Sequence, residues 1–351
     1  MANFGPKDIK KLREATNAGM MDCKNALKES DGNFDDAVAW LREKGLGAAA
    51  KKASKVAAEG VVSVKVSDDK AVIVEVNSQT DFVAQNDTFK EVVSEITAHA
   101  FNNNLADADA INNSKINGQD FSEYLSLKIA TIGENLVVRR AGMIASDDET
   151  VAINGYVHAN SRVAVLLGAK CEDVETAKKV EAELKNIAMH AAAMSPSTLS
   201  YKDFDAKFVE DETNGRIEKI KKENEELARL GKPLKNIPQY VSMMQITDEV
   251  LAEAKKAIEA ELASEGKPEK IWDRIVPGKL ARFISDNTLL DQELALLDQK
   301  YVMDDSVTVA QHIEKISNGK ATITDFIRLE VGEGIEVAEE DFAAEVAKQM
   351  A

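Results

Sequence analysis

The sequence predicts an α+β fold: an N-terminal helical unit, a core of two related half-domains with antiparallel sheets and helices, an inserted helical module, and a C-terminal helix. Three observations carry this reading. The hydrophobic period changes from helical to alternating at Gly60. A strand, strand, helix, helix, strand order then returns in weaker form about 90 residues later. Residues from about 200 to 305 are highly charged and mostly helical in pattern.

The first 50 or so residues read as three short helices. Pro6 suits a first helical turn, with Ile9 and Leu12 following at helical spacing, and "NAGMMDCKNALKES" restarts with Asp22 ahead of Ala26 and Leu27. "GNFDDAVAWLREKG" supplies Asn33 as a cap, an apolar face of Ala37, Val38 and Leu41, and Gly45 as a stop. The Ala/Lys/Gly stretch "GLGAAAKKASKVAAEG" reads as a solvated helix or tether and marks a boundary.

From Gly60, "VVSVKV" and "AVIVEV" set Val62, Val64, Val66 and Val72, Val74, Val76 against polar or solvent-side residues, around a turn at "SDDK". This predicts a hairpin with one buried face. "TFKEVVSEITAHAF" follows as a helix with Thr88 and Glu91 spaced as a capping box and a stripe of Phe89, Val92, Val93 and Ile96. "DFSEYLSLKIATIG" reads as a helix ending at Gly133, and "NLVVRRAGMI" as the closing strand.

In the second half, "GYVHANSRVAVLLGAK" repeats the hairpin and "LKNIAMHAAA" the helix, which brings His190 opposite His99. The closing strand is postponed to "TITDFIRLEVGEG", residues 322–334. The excursion between is punctuated by "GKPLKNIP", "GKPEK" and "VPGK", read as helix breaks. Within it, Ile217, Ile220, Asn224 and Leu227 fall at coiled-coil spacing, but over only about two heptads, too few for a coiled coil, so a solvated antiparallel helical hairpin is the favoured reading.

Composition narrows the function. A net charge of −17 on 351 residues opposes a phosphate-binding surface, because each phosphate contact needs a cation. Nucleic acid is therefore not expected as a direct partner. Two cysteines, Cys23 and Cys171, make no disulfide framework and no metal-ligand spacing, and both read as small apolar residues. No metal and no cofactor are expected. The start of the chain reads neither as a signal peptide nor as a transit peptide, and no apolar run reaches membrane-spanning length, so a cytoplasmic protein without a membrane partner is expected. There is no phosphate loop, HExxH or GxSxG motif, and His99 and His190 sit in Ala-rich helices as packing residues. Binding is favoured over catalysis.

Four stretches, "GMMDCKNAL", "GVVSVKVSDDKAVIVEVNSQTDFVAQND", "KIATIGENLVVRR" and "DFIRLEVGEGIE", in this order, resemble the bacterial elongation factor Ts family over almost the whole chain. The resemblance implies a guanine-nucleotide exchange factor that meets elongation factor Tu in its GDP-bound and nucleotide-free forms and does no covalent chemistry. It also implies a ubiquitin-associated-like three-helix unit at residues 1–53 and a core N-subdomain at 54–146. The core C-subdomain would take 147–204 and 304–335, and the helical, coiled-coil-like module 205–303, with an apparent extra segment at 209–247. The last part is a C-terminal helix at 336–351, whose Phe342 and Val346 suit docking on the core or on the partner. A homodimer through the helical module is a further possibility. The alternative is a non-catalytic ubiquitin-associated-like binding or scaffold protein.

Partner contacts follow position by position from the resemblance. Asp81 and Phe82 match the motif that meets the GTPase near its magnesium-coordinating and switch regions, with Ile132 close by; Arg13, Met20 and Met21 match residues that contact a helix of the GTPase domain; His158 matches a histidine that contacts the third domain. Other readings of these residues stand beside this one. Phe82 lies seven residues before Phe89 and could extend that buried stripe, a Met pair in a small helical unit is usually core, and Ile132 is in phase with Tyr124, Leu125 and Ile129. Asp81 is expected to cap the helical turn that follows it.

Overall fold

The computed structural model describes residues 4–16 and 18–336. The C-terminal helix expected at 336–351 therefore falls outside the described residues, save its first position. Three helices open the chain: α1 (Pro6–Thr16), α2 (Met20–Glu29) and α3 (Phe34–Lys52). They enclose a small core of Leu12, Cys23, Ala26, Leu27, Ala37 and Leu41. Asn33 caps α3 as expected, its side chain accepting from the N–H groups of Asp35 and Asp36 at 3.0 and 3.3 Å. Gly45 does not stop α3. The helix runs seven residues further, past Gly47 and through three Ala and two Lys, which are strong helix formers. Gly45 is instead a point of close approach, since a Cβ there would lie 3.1 Å from the Leu127 side chain.

The first sheet is built from β1 (Glu59–Val66), β2 (Lys70–Ser78) and, further along the chain, β5 (Val137–Ala145), all antiparallel in the order β1-β2-β5. Between β2 and β5 lie α4 (Asp81–Gln85), α5 (Asp87–Asn102), α6 (Ala108–Asn112), a small β3 (Lys115–Ile116) and β4 (Gln119–Asp120) hairpin, and α7 (Phe121–Ile132). The expectation of one buried face fails for the central strand, because β2 is buried from Ala71 to Ser78. The register explains this. Val62 pairs with Glu75 and Val64 with Ile73, while Val61 pairs with Val76 and Ser63 with Val74. Paired residues share a face, so the two valine triplets of the hairpin point to opposite sides. Val72, Val74 and Val76 join Val61 under Phe89, Ile96, Tyr124 and Ile129 of the helices. Val62, Ala71 and Ile73 face the other way, onto Ile153, Leu166 and Leu329.

The α5 cap also differs from expectation. Asn86, not Thr88, is the capping residue: its side chain accepts from Thr88 N–H at 2.8 Å, and its own N–H closes α4 on the carbonyl of Val83. An extended backbone at Asn86 (φ −69°, ψ 134°) separates the two helices and leaves the Thr88/Glu91 pair inside the first turn.

The second sheet comprises β6 (Val151–Val157), β7 (Val163–Cys171) and β10 (Ala321–Glu330) in the order β10-β7-β6. Its strands therefore stand in the same order as those of the first sheet. By contacts the chain divides into two units, one running to Gly168 and resuming at Ile327, the other Ala169–Phe326, so the division passes through β7 and β10. The second unit holds α8 (Val174–Met194), α9 (Ala206–Arg229), α10 (Asp248–Ser264), α11 (Trp272–Asp286), α12 (Leu289–Leu294), β8 (Lys300–Tyr301), β9 (Asp304–Thr308) and α13 (Val309–Ser317).

Within this unit the 209–247 stretch is neither a coiled coil nor a helical hairpin. It contains most of one helix, α9, and a non-helical return whose Lys235 exchanges hydrogen bonds with the Asn224 side chain at 2.7 and 2.8 Å. The asparagine read at a coiled-coil position thus fastens the returning backbone. Both ends of the stretch are core, with Val209 and Val241 packed with Phe204, Leu290 and Ala295. "VPGK" does not break its helix either, as Pro277 lies inside α11. His190 is buried: its Nδ1 accepts from Val302 N–H at 3.2 Å, its Nε2 meets Gln299 Oε1 at 3.0 Å, and burial lowers its pKa. Among the described residues no helix is long and apolar enough to cross a membrane.

Candidate functional site

The site begins where β2 ends. Ser78 is fully buried, and the next residues must turn out of the sheet into the five-residue helix α4. A helix this short is not self-supporting, and only Ala84 of it is buried, so its direction depends on what holds its start. Thr80 is its N-cap, with the side-chain oxygen accepting from Val83 N–H at 3.3 Å. This corrects the expectation for Asp81, which is the first helical residue and is exposed, a favourable place for a carboxylate at the positive end of the helix.

From behind, Glu134 grips the junction. Its Oε2 accepts from the N–H groups of Gln79 and Thr80 at 3.0 and 3.1 Å, and its Oε1 from the Thr80 hydroxyl at 2.7 Å. Glu134 reaches this place because α7 ends on Gly133 in the left-handed region (φ 90°), which turns the chain back towards β2. Asn135 N–H donates to the Gln79 side chain at 3.0 Å.

Phe82 projects from this support with 83% of its surface exposed, whereas Phe89, seven residues on, is fully buried. The break at Asn86 takes Phe82 off the buried stripe, so its reading as a continuation of that stripe does not hold.

Arg13, Met20 and Ile132 come together on one cleft of about 510 Å³, with Glu91, Glu95 and Lys128 also on its walls. Met20 and Met21 open α2 and are 61% and 64% exposed, so neither belongs to the core of the three-helix unit. Ile132 is half-buried against the core under the first sheet and also lines the cleft. The cleft wall carries a coupled group. Burial works to raise the Glu95 pKa, but hydrogen bonds from Tyr124 (2.6 Å) and Lys128 (2.9 Å) outweigh it and hold the carboxyl below its usual range. Glu95 thus stays anionic beside a cation.

His158 is exposed on the turn between β6 and β7 and is not among the residues lining this cleft. Its Nδ1 lies 3.3 Å from the Tyr156 hydroxyl, and the turn is fastened by Ser161 N–H to the His158 carbonyl at 2.7 Å and by Val62 N–H to the Ser161 carbonyl at 2.7 Å. Among the described residues no three His, Cys, Asp or Glu side chains are grouped to hold a metal ion.

Sequence reasoning missed Thr80, Glu134 and Gln79. Thr80 carried a signal, a capping residue type directly before an acidic first turn. Glu134 carried a weaker one, an acid directly after a helix-ending glycine, with nothing local to name its partner.

The family model for "Elongation factor TS" matches residues 79–237 and 235–333. Curated relatives named Elongation factor Ts include one from Sulfurovum sp. (strain NBC37-1), 68% identical over 354 residues with both chains covered completely. Another, from Aliarcobacter butzleri (strain RM4018), is 56% identical and covers 100% of this chain and 99% of the relative. A third, from Helicobacter pylori (strain ATCC 700392 / 26695), is 51% identical with complete coverage of both. Matched over most of its length by the family model and end to end by these relatives, the chain belongs to the elongation factor Ts family.

Proposed function

We propose that this chain releases GDP from elongation factor Tu by inserting Phe82 as a rigid wedge beside the nucleotide's magnesium and phosphate contacts, so that GTP can load. The family acts as the nucleotide exchange factor for this GTPase. GDP on such a partner is held by a phosphate loop and by a magnesium ion that neutralises phosphate charge, so displacing either lowers affinity. No covalent step is involved. The observation that carries the reading is the 83% exposure of Phe82 at the start of a helix whose entry is fixed by Thr80 and Glu134. An aromatic side chain suits this work, bringing large apolar area with few rotamers to freeze.

Around the wedge, Asp81 works beside Phe82, the cleft of Arg13, Met20 and Ile132 receives a helix of the GTPase domain together with the exposed Met21, and His158 reaches the third domain. Three exposed apolar side chains, Met20, Met21 and Phe82, on one compact unit supply an interface centre. The parts are taken as the three-helix unit 1–53, the core N-subdomain 54–146, the core C-subdomain 147–204 with 304–335, and the helical module 205–303. The net charge of −17 favours a protein partner over direct contact with RNA, and the setting is taken as cytoplasmic. The test is release of a fluorescent GDP from elongation factor Tu in magnesium-containing buffer. Trace amounts of this protein should accelerate release and loading without moving the overall equilibrium; unaccelerated release would contradict the reading.

A further inference from the structure

Helix α4 has little of its own to hold it. Five residues are below the length at which helical structure sustains itself, and Ala84 is its one buried residue. The direction of Phe82 must therefore be imposed at the helix start. The groups that impose it come from 54–56 positions away in sequence: Glu134 accepts from three donors of Gln79 and Thr80, and Asn135 N–H donates to the Gln79 side-chain oxygen. The same loop is tied on its other side, with Asn135 Nδ2 donating to the Lys55 carbonyl at 2.9 Å and Lys52 Nζ donating to the Gly133 carbonyl. Residues 133–135 thus join the tail of α3, whose unit carries Arg13, Met20 and Met21, to the junction that carries Asp81 and Phe82.

We propose that Glu134 is the positioning residue of the exchange reaction, its carboxylate fixing the backbone of Gln79 and Thr80 so that Phe82 projects in one direction before the partner arrives. The proposal rests on the wedge reading of Phe82. It assigns Glu134 no contact with the partner. A carboxylate suits the role because its two oxygens accept all three donors at once, and each donor would otherwise lie half-buried without a partner. Losing the clamp lets α4 sample several directions, only one of which is productive, so the maximal rate falls while the surface that docks the partner stays intact.

The experiment is fluorescent GDP release from elongation factor Tu at increasing concentrations of wild type, Glu134→Ala, Glu134→Gln, Phe82→Ala and the Phe82→Ala/Glu134→Ala double variant, each with a thermal melt. Glu134→Ala should lower the maximal rate about tenfold and move the half-saturating concentration less than about threefold, the signature of an interaction felt at the wedging step and not in docking. Glu134→Gln should recover most of the rate, because its amide oxygen can accept from both N–H groups while its nitrogen donates to Thr80. In the Phe82→Ala background the Glu134 change should cost nothing further, since the two act in one path. If Glu134→Ala does not fold, Glu134→Asp, which keeps the charge but withdraws it by one methylene, should still fold and lower the maximal rate severalfold. A wild-type maximal rate in the folded Glu134→Ala or Glu134→Asp variant, or a further loss on top of Phe82→Ala, overturns the proposal. If wild type itself fails to accelerate release, the wedge reading fails first and is identified by that arm alone.

Discussion

The two strand-to-helix junctions of the molecule begin alike and end differently. In each sheet the central strand, β2 or β7, leads directly towards a helix, and the strand order around it is the same. After β7 the chain enters α8 at once: Asp173 caps it by accepting from Thr176 N–H at 2.8 Å and pairs with Lys320 at 3.0 Å. These interactions, led by the Thr176 hydrogen bonds, hold the Asp173 carboxyl down at about 2. After β2 the chain first makes α4, gripped by Glu134, and only then α5. The helical histidines remain matched, as His99 stacks on Phe121 and His190 packs against Tyr301. What the comparison teaches is that the repeated part is architecture, while the exposed aromatic belongs to an element that the second junction lacks.

The halves also treat buried carboxylates differently, and the largest expected effect comes from this contrast. Strand β2 carries Glu75, fully buried, which accepts from Arg139 at 3.3 Å, from Arg140 Nε at 2.5 Å and from Gly332 N–H at 3.0 Å. Strand β7 has no charged residue from Val163 to Ala169. Glu75→Ala removes the buried acceptor shared by two guanidinium groups, which keep only their contacts with residues 330 and 333, and should cost about 3 kcal/mol in denaturant unfolding. A loss below about 1 kcal/mol would mean that β2, like β7, is held by apolar burial alone.

A smaller effect of opposite sign is expected in the second unit, where the buried Asp291 and the half-buried Asp298 have no such pair of guanidinium partners. Burial raises the Asp298 carboxyl to about 6, with the nearby Asp291 charge adding to this and the Tyr201 N–H and Lys202 opposing it. Asp291 is raised as well, again by burial. Because the folded state holds the Asp298 proton more tightly than the unfolded chain does, the carboxylate destabilises the fold as pH rises from about 4 through 6. Asp298→Asn should therefore stabilise the protein near pH 7.5 by about 1 kcal/mol, the group being partly open to solvent. The gain should shrink through pH 6 and vanish near pH 4 in thermal melts; a pH-independent effect would show that the two carboxylates are adequately solvated.

Much of this architecture was legible from period and punctuation, and the misses share a physical cause. The three first helices, both hairpins and the Gly133 stop rest on contacts close in sequence, and the postponed closing strand, although it pairs with the distant β7, shows in its own alternation. Gly45 and Pro277 misled because a breaker is a tendency that surrounding helix formers and packing can override. Glu75 was read as a solvent-side residue because alternation reports one covered face, and nothing local says that a second sheet covers the other. Asn86 was passed over for Thr88 because the choice between neighbouring caps is made by one backbone angle. At the site, the exposure of Phe82 was open on pattern alone, and the Glu134 clamp, joining residues 54 and 55 positions apart, left no local trace.

The central claim is that Phe82 is exposed in order to act, and the most direct measurement pairs it with its buried neighbour in sequence. Phe82→Ala and Phe89→Ala are each assayed for acceleration of GDP release from elongation factor Tu and for unfolding free energy. Phe89 is fully buried, and its truncation should cost about 3 to 5 kcal/mol, with activity falling only as folded protein is lost. Phe82→Ala should change stability by no more than about 0.5 kcal/mol while lowering exchange at least about tenfold. A Phe82→Ala variant that loses stability as Phe89→Ala does, or that keeps wild-type exchange with wild-type stability, would contradict the account.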